Sequence, residues 1–259
     1  MSMPMSSLRT VGAAALVLFA GVGASSAQIA EAPAPLEMDW QHEGFFGTFD
    51  RAAAQRGFQV YREVCSSCHG LTFINFRNLA DLGFSEDQVR ALAAEYTVTD
   101  GPDENGEMFE RPAGPADPFP PPYPNDNAAR AANGGALPPE LSLITKARAN
   151  GSNYVYSLLV GYEEPPPDVE PRDPLYYNAF FPGHWIAMPQ PLFEDQVAYA
   201  DGTEATIPQM ASDVTTFLTW AGEPTLEQRK QTGLKAMLFL LVFTGLCYAT
   251  MRQVWADAH

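Results

Sequence analysis

Apolar residues recur at helical spacing in several separate stretches of the chain. Phe58, Tyr61 and Val64 lie three residues apart and predict a helix over 50–64, with Asp50 placed to cap its start. Val89, Leu92 and Ala93 predict a second helix over 85–96 with Ser85 as N-cap. The turn Asn133-Gly-Gly-Ala-Leu-Pro-Pro-Glu-Leu-Ser142 leads into an expected helix continuing through Lys146 and Arg148. Another helix is expected over 152–161, ended by Gly161, and one more from near Pro208, with Val214, Phe217, Leu218 and Ala221 on one face. The fold class read from this pattern is mainly α, with no internal repeat.

Between these elements the pattern breaks down. Pro33 and Pro35 argue for an extended start, and residues 97–128 form a long insertion dense in Pro, Gly and acid. A loop of that length inside a compact domain is usually either functional or partly disordered. A second acidic, proline-rich loop runs over 163–173.

Two apolar runs point to export and to a membrane anchor. Arg9, the run from Val11 to Val22 and the small residues Ala24-Ser-Ser-Ala27 form an export signal over 1–27, with Gln28 as the expected mature start. Leu234 to Thr250 is apolar apart from Lys235 and Thr244. Lys235 and Arg252 are separated by about 26 Å of helix rise and can snorkel outward to extend the span, with Trp255 at an interface. The expected organisation is a leader over 1–27, an exported domain over 28–228, and an anchor with a short cytoplasmic tail over 229–259. Arg229, Lys230 and Lys235 at the outer end run against the positive-inside tendency, which a translocated leader overrides.

Charge then narrows the partners. The formal net charge of -16 and 23 prolines exclude a nucleic-acid binder and describe an acidic, loop-rich protein whose natural complement is basic. Over 95–126 eight acids stand against Arg111, either a solvated face or a docking surface for a cationic partner.

The chemistry is carried by Cys65-Ser-Ser-Cys68-His69, the pattern that attaches haem c through two thioether bonds and offers the next imidazole to iron. Two intervening residues let one helical turn reach both vinyl groups. Zinc would require a second ligand pair, and a redox dithiol belongs on a thioredoxin-like fold. Cys247, in the apolar run, is read as a small hydrophobe. An electron-transfer haem has both axial positions filled, so a second ligand is expected among Met108, Met188, Met210, His42 and His184. Met188 is favoured by its place in Gly183-His-Trp-Ile-Ala-Met-Pro189, where Pro189 and Pro191 hold an extended segment. Arg148, with Tyr154 nearby, is the candidate cation for a haem propionate. A membrane-anchored cytochrome serving an oxidase or dehydrogenase, and a haem enzyme with an open axial site, are the alternatives.

Motifs along nearly the whole mature chain resemble the cytochrome c1 family, the haem subunit of the cytochrome bc1 complex. They are Gly57-Phe-Gln-Val-Tyr61, Phe76-Arg-Asn-Leu79, Ala128-Ala-Arg-Ala-Ala-Asn133, Gly135-Ala-Leu-Pro-Pro-Glu-Leu-Ser142, Tyr176-Tyr-Asn178, Phe181-Pro-Gly183, Ala187-Met188, Asp201-Gly-Thr203, 213–220, Ala221-Gly-Glu-Pro224 and Arg229-Lys230, in the family's order. The resemblance implies a cytochrome c-type haem domain with long loop insertions on one C-terminal transmembrane helix. It implies one covalent haem c on Cys65 and Cys68, with His69 and Met188 as axial pair and metal ligands. Asn133, Pro139, Arg148 and Tyr154 would line the haem. The implied partners are cytochrome b, the Rieske iron-sulfur protein as electron donor, and a basic soluble or tethered cytochrome c as acceptor, in a dimeric complex. The implied location is a bacterial cytoplasmic membrane with the haem domain in the periplasm. Glu140 stands where the family usually has Asp, a charge-preserving change. With no cysteine between 68 and 247, the loop carrying Met188 is expected to be clamped by packing and proline rather than by a disulfide.

Overall fold

A computed structural model describes residues 32–256, so the leader read over 1–27 lies outside the described residues. The chain forms helices α1 (Arg51–Glu63), α2 (Glu86–Ala94), α3 (Asp126–Ala132), α4 (Gly151–Val160), α5 (Ile207–Gly222) and α6 (Leu226–Val254). Two short antiparallel ribbons accompany them, β1 (Thr97–Asp100) with β2 (Phe109–Pro112) and β3 (Tyr176–Tyr177) with β4 (Trp185–Ile186). The architecture is mainly α, as the apolar periodicity predicts.

The core is built on α1 against α5. Gly57 makes that contact possible, because a Cβ there would lie 2.0 Å from the Asp213 carbonyl oxygen and 2.8 Å from Phe217 Cβ. Around the crossing, the Phe217 ring sits 5.5 Å from Phe58 and 5.8 Å from Tyr61, with Phe119 edge-on to both. Asp213 is buried in this contact, and a buried carboxylate requires a partner. Arg56 supplies it through two bonds of 2.9 Å and uses its remaining nitrogen on Asp201 at 2.9 Å.

The caps read from sequence are present. Asp50 accepts from the Ala53 amide at 3.1 Å, and Ser85 accepts from the Gln88 amide at 3.2 Å in a reciprocal capping box. One expectation needs correction, and two further segments take structure that the apolar pattern did not predict. No helix continues through Lys146 and Arg148; 142–150 is a series of turns, ended by left-handed Asn150 (φ 61°) and Gly151 (φ 45°), conformations that interrupt a right-handed helix. The alanine-rich segment around Arg130 is helix α3, started by the Asn125 side chain accepting from the Ala128 amide at 2.9 Å. The acidic insertion is ordered: β1 pairs β2 from Thr97↔Pro112 to Asp100↔Phe109, Arg111 bridges Asp100 and Asp117, and Phe119 is buried in the core.

Helix α6 has a mean hydropathy of 1.8 over its apolar window, none of which is buried by the rest of the chain. Its 29 residues span about 43 Å at 1.5 Å per residue, enough to cross a bilayer core of about 30 Å. The base of α6 is bound to the domain rather than hung from it. Glu227 accepts from the Phe49 amide at 2.8 Å and pairs both its oxygens with Arg51 at 2.9 Å. Lys230 donates to the carbonyls of His42 and Gly47 at 2.8 and 3.0 Å, while Arg229 and Lys146 converge on Glu223. These contacts explain the cations at this end of the helix: two of them hold the anchor to the domain.

Candidate haem site

Helix α1 ends at Glu63 and the chain tightens into a 3-10 turn over Cys65–Ser67. The amides of Cys68 and His69 both donate to the Cys65 carbonyl, at 3.2 and 2.9 Å, so the two thiols and the imidazole emerge from one turn. Neither thiol is in a disulfide. Burial, and secondarily the neighbouring Cys68, push the Cys65 thiol up to about 12, the opposite of the lowered value a redox dithiol needs.

His69 is oriented by a carbonyl. Its Nδ1–H donates to the Pro139 oxygen at 2.7 Å, which fixes the tautomer and leaves Nε2, with no hydrogen bond among the described residues, as the lone-pair donor. Burial lowers the imidazole's affinity for protons, opposed by that bond, and so favours the neutral ring a metal requires.

The Pro139 carbonyl is itself held by a clasp that the sequence reading did not find. Glu140 accepts from the Thr72 amide at 2.8 Å, from the Ser142 amide at 2.9 Å and from the Ser142 hydroxyl at 2.5 Å. The Leu141 amide donates to the Gly70 carbonyl at 2.9 Å, and the Phe73 amide donates to Ser142 Oγ at 3.1 Å. Segment 139–142 is thereby laced to 69–73, with Glu140 as its densest knot. A Glu in a Pro-Pro-Glu turn gives no local sign of the cross-link, because the Thr72 amide that joins the two segments lies 68 positions upstream.

Asn133 reaches the same turn through Tyr123. Its Nδ2 donates to the Tyr123 hydroxyl at 3.1 Å and to the Ala129 carbonyl at 2.7 Å, and the Tyr123 hydroxyl lies 3.9 Å from Cys68 Sγ. Tyr123 also escaped the sequence reading, for it sits among prolines without periodicity.

Further along the chain, Met188 is half-buried and its carbonyl accepts from the Tyr162 hydroxyl at 3.1 Å. The loop before it is clamped by Asn178, fully buried. Asn178 Nδ2 donates to the Leu158 carbonyl at 2.8 Å, and its Oδ1 accepts from the amides of Phe180 and Phe181 at 3.0 and 3.1 Å. Its own amide donates to the His184 carbonyl at 2.8 Å. The clamp is therefore a buried side-chain amide together with the β3–β4 ribbon, where packing and proline alone were expected. Gly161 lets Phe180 close over it: a Cβ there would lie 2.6 Å from the Phe180 ring. Tyr154 lies close enough to Tyr162 to raise its pKa behind the larger effect of burial, and Arg148 stands beside Tyr154 and opposes the burial-driven rise in that phenol's pKa. Arg148 is exposed, and its guanidinium also donates to the neighbouring Ala147 carbonyl at 3.2 Å. No hydrogen bond among the described residues joins the Met188 segment to the His69 segment.

The other axial candidates have different surroundings. Met108 is exposed beside β2, and Met210 is enclosed in the core from α5. His42 lies between Trp40 and Phe49 with Nε2 on Ser152 Oγ at 3.3 Å. His184 stacks on Tyr177 at 5.4 Å, with Nδ1 3.3 Å from the Asn178 carbonyl. Two cavities, of about 470 and 350 Å³, lie away from the Cys-Cys-His turn, the first beside the base of α6 and the second between α1 and the 200–201 loop. Among the described residues no three His, Cys, Asp or Glu side chains converge as a structural zinc would need. Paired thiols on one turn next to a neutral, carbonyl-oriented imidazole instead fit covalent haem.

Comparison with known proteins agrees with this chemistry. Residues 40–258 match the model of the Cytochrome C1 family. A cytochrome c1 from Rhodospirillum rubrum is 48% identical over 266 residues, covering 96% of this chain and 97% of that protein. A protein named cytochrome b/c1 from Bradyrhizobium diazoefficiens is 51% identical over 85% of this chain, which spans 35% of that protein's length. A mitochondrial cytochrome b-c1 complex catalytic subunit from Candida albicans is 52% identical over 85% of this chain and 77% of its own. On the match over most of its length, the chain belongs to the cytochrome c1 family.

Proposed function

We propose that the protein is the haem-bearing electron-transfer subunit of a cytochrome bc1 complex, taking an electron from the Rieske iron-sulfur protein and giving it to a cytochrome c. The observation that carries this reading is the Cys65–Cys68–His69 turn with Nδ1 of His69 bonded to the Pro139 carbonyl. One covalently bound haem c, held by Cys65 and Cys68, would supply a one-electron couple. His69 and Met188 would hold the iron: the imidazole presents Nε2, and the Met188 segment is held by Tyr162 and Asn178 while the competing Met and His side chains are engaged elsewhere or exposed. Asn133 braces the Cys68 side through Tyr123, and Arg148 with Tyr154 offers a cation and a hydroxyl for a propionate.

Cytochrome b, at which quinol would be oxidised, is the partner along α6. The periplasmic side is assigned to the haem domain by the export signal at 1–27, and a dimeric complex is the assembly. The exposed acids Glu104, Glu107 and Glu110 on the β1–β2 ribbon form the surface for a basic cytochrome c; Asp100 and Asp117 are taken up by Arg111. Replacement of Met188 by Leu tests the axial assignment. A large fall in midpoint potential with new carbon monoxide binding by the reduced protein is expected, and an unchanged potential removes Met188 from the site.

A further inference from the structure

Beside the base of α6 the chain carries two aromatic rings that nothing in the domain covers. Phe45 is 51% exposed and Phe46 is 78% exposed, and they stack edge to face at 4.9 Å. They stand at the tip of a loop over 41–48 that is closed and rigid rather than loose. The Thr48 amide donates to the Gln41 carbonyl at 3.1 Å and the Glu43 amide to the Trp40 carbonyl at 2.9 Å. Gly44 takes a left-handed φ of 69°, and Gly47 is so tightly approached that a Cβ would lie 1.8 Å from the Glu43 carbonyl oxygen. Rigid exposure of paired phenylalanines marks an interaction surface.

The position of the loop identifies its occupant. Lys230 grips it by the carbonyls of His42 and Gly47, four residues before the apolar run that begins at Leu234. Four residues of helix rise about 6 Å, and the headgroup region on each side of a bilayer is about 5–7 Å deep, so the loop is fastened at headgroup level. The charges nearby agree. In a chain of net charge -16, Arg51, Arg229, Lys230 and Lys235 gather at this end of α6; Arg51 and Arg229 are paired with Glu227 and Glu223 and Lys230 is taken up by the two loop carbonyls, while Lys235 forms no ion pair among the described residues. A free lysine on the anchor helix beside an aromatic tip matches the phosphate and acyl boundary of a lipid surface.

We propose that the 41–48 loop is a second membrane contact, in which Phe45 and Phe46 enter the lipid headgroup and acyl boundary beside α6. With the anchor helix as one fixed point and this loop as another, the haem domain is held at a set tilt over the bilayer instead of swinging about α6.

The inference rests on α6 spanning the bilayer, and the test separates the two. A nitroxide is placed on native Cys247 in one sample, and on Phe46→Cys in the Cys247→Ser background in another. A third carries it on Glu104→Cys, also with Cys247→Ser, as the water-exposed reference. Full-length holoprotein with reduced haem is studied in lipid nanodiscs, and collision rates with oxygen and with a water-soluble nickel chelate are measured. A label at Cys247 protected from nickel establishes the span. The label at 46 is then expected to meet nickel about tenfold less often than the label at 104 while meeting oxygen more often. Equal nickel access at 46 and 104, with Cys247 protected, overturns the loop's role and leaves the anchor intact. Protection at 46 from both reagents only after assembly with partner subunits also overturns it, because a protein then covers the rings.

Discussion

Glu140 is the residue whose removal tests the site's construction most directly. Its carboxylate accepts three hydrogen bonds, two of them from the backbone on either side of the junction between 69–73 and 139–142. A hydrogen bond to a charged group contributes about 1.5–3 kcal/mol, and because Glu140 is only half-buried and its donors can be rehydrated, Glu140→Ala is expected to cost about 3 kcal/mol in all. For a domain of this size that corresponds to a fall of about 6–12 °C in the unfolding midpoint. The second consequence is electronic. Loosening the junction lengthens the 2.7 Å bond from His69 to the Pro139 carbonyl, which lowers the basicity of the imidazole and destabilises the ferric state relative to the ferrous. A differential of about 0.5–1 kcal/mol raises a one-electron potential by about 20–45 mV. Thermal melts and redox titration of the holoprotein read both effects, with Glu140→Asp expected to retain most of each. An alanine variant with the parent's melting and potential refutes the clasp; a melting loss with no change in potential refutes the link from the clasp to His69.

Asn178→Ala removes three side-chain bonds that hold the Met188 loop, and is expected to weaken sulfur ligation while leaving haem attachment intact. Loss of the sulfur-to-iron charge-transfer band and gain of carbon monoxide binding would report it; an unchanged spectrum would mean the loop is held without the amide. His42 gives the protein a pH-dependent stability. Burial, and then the Lys230 charge, lower its pKa from 6.5 to about 4, so between those values the unfolded chain binds the proton and the folded one does not. Stability therefore falls as pH drops through that window, by about 2 kcal/mol at pH 5. His42→Gln should flatten that part of the pH profile relative to the parent, and parallel profiles in chemical denaturation would discount the residue.

The sequence by itself determined the helical class, the haem chemistry and the anchor, because each rests on spacing that is local. Three-residue periodicity and side-chain caps placed α1 and α2 within a residue or two, and two thiols followed by an imidazole need only one turn of chain. The apolar run of α6 declares itself by length and composition. Motif resemblance, rather than periodicity, pointed to Pro139 and Asn133, and the contacts that give them work, a carbonyl on His69 and a tyrosine bridge to Cys68, are visible only in three dimensions. Tertiary structure alone decided the rest. Glu140 and Asn178 are polar residues in turns, and a polar residue's partner is set by which distant amides the fold brings within 3 Å of it. The helix expected beyond Ser142 yielded to left-handed Asn150 and Gly151 and to the bonds of the clasp. The acidic insertion was ordered by Arg111 and by Phe119 entering the aromatic core. Local periodicity is written in neighbouring residues, whereas satisfaction of buried polar groups depends on partners far away in the chain, and only folding supplies those.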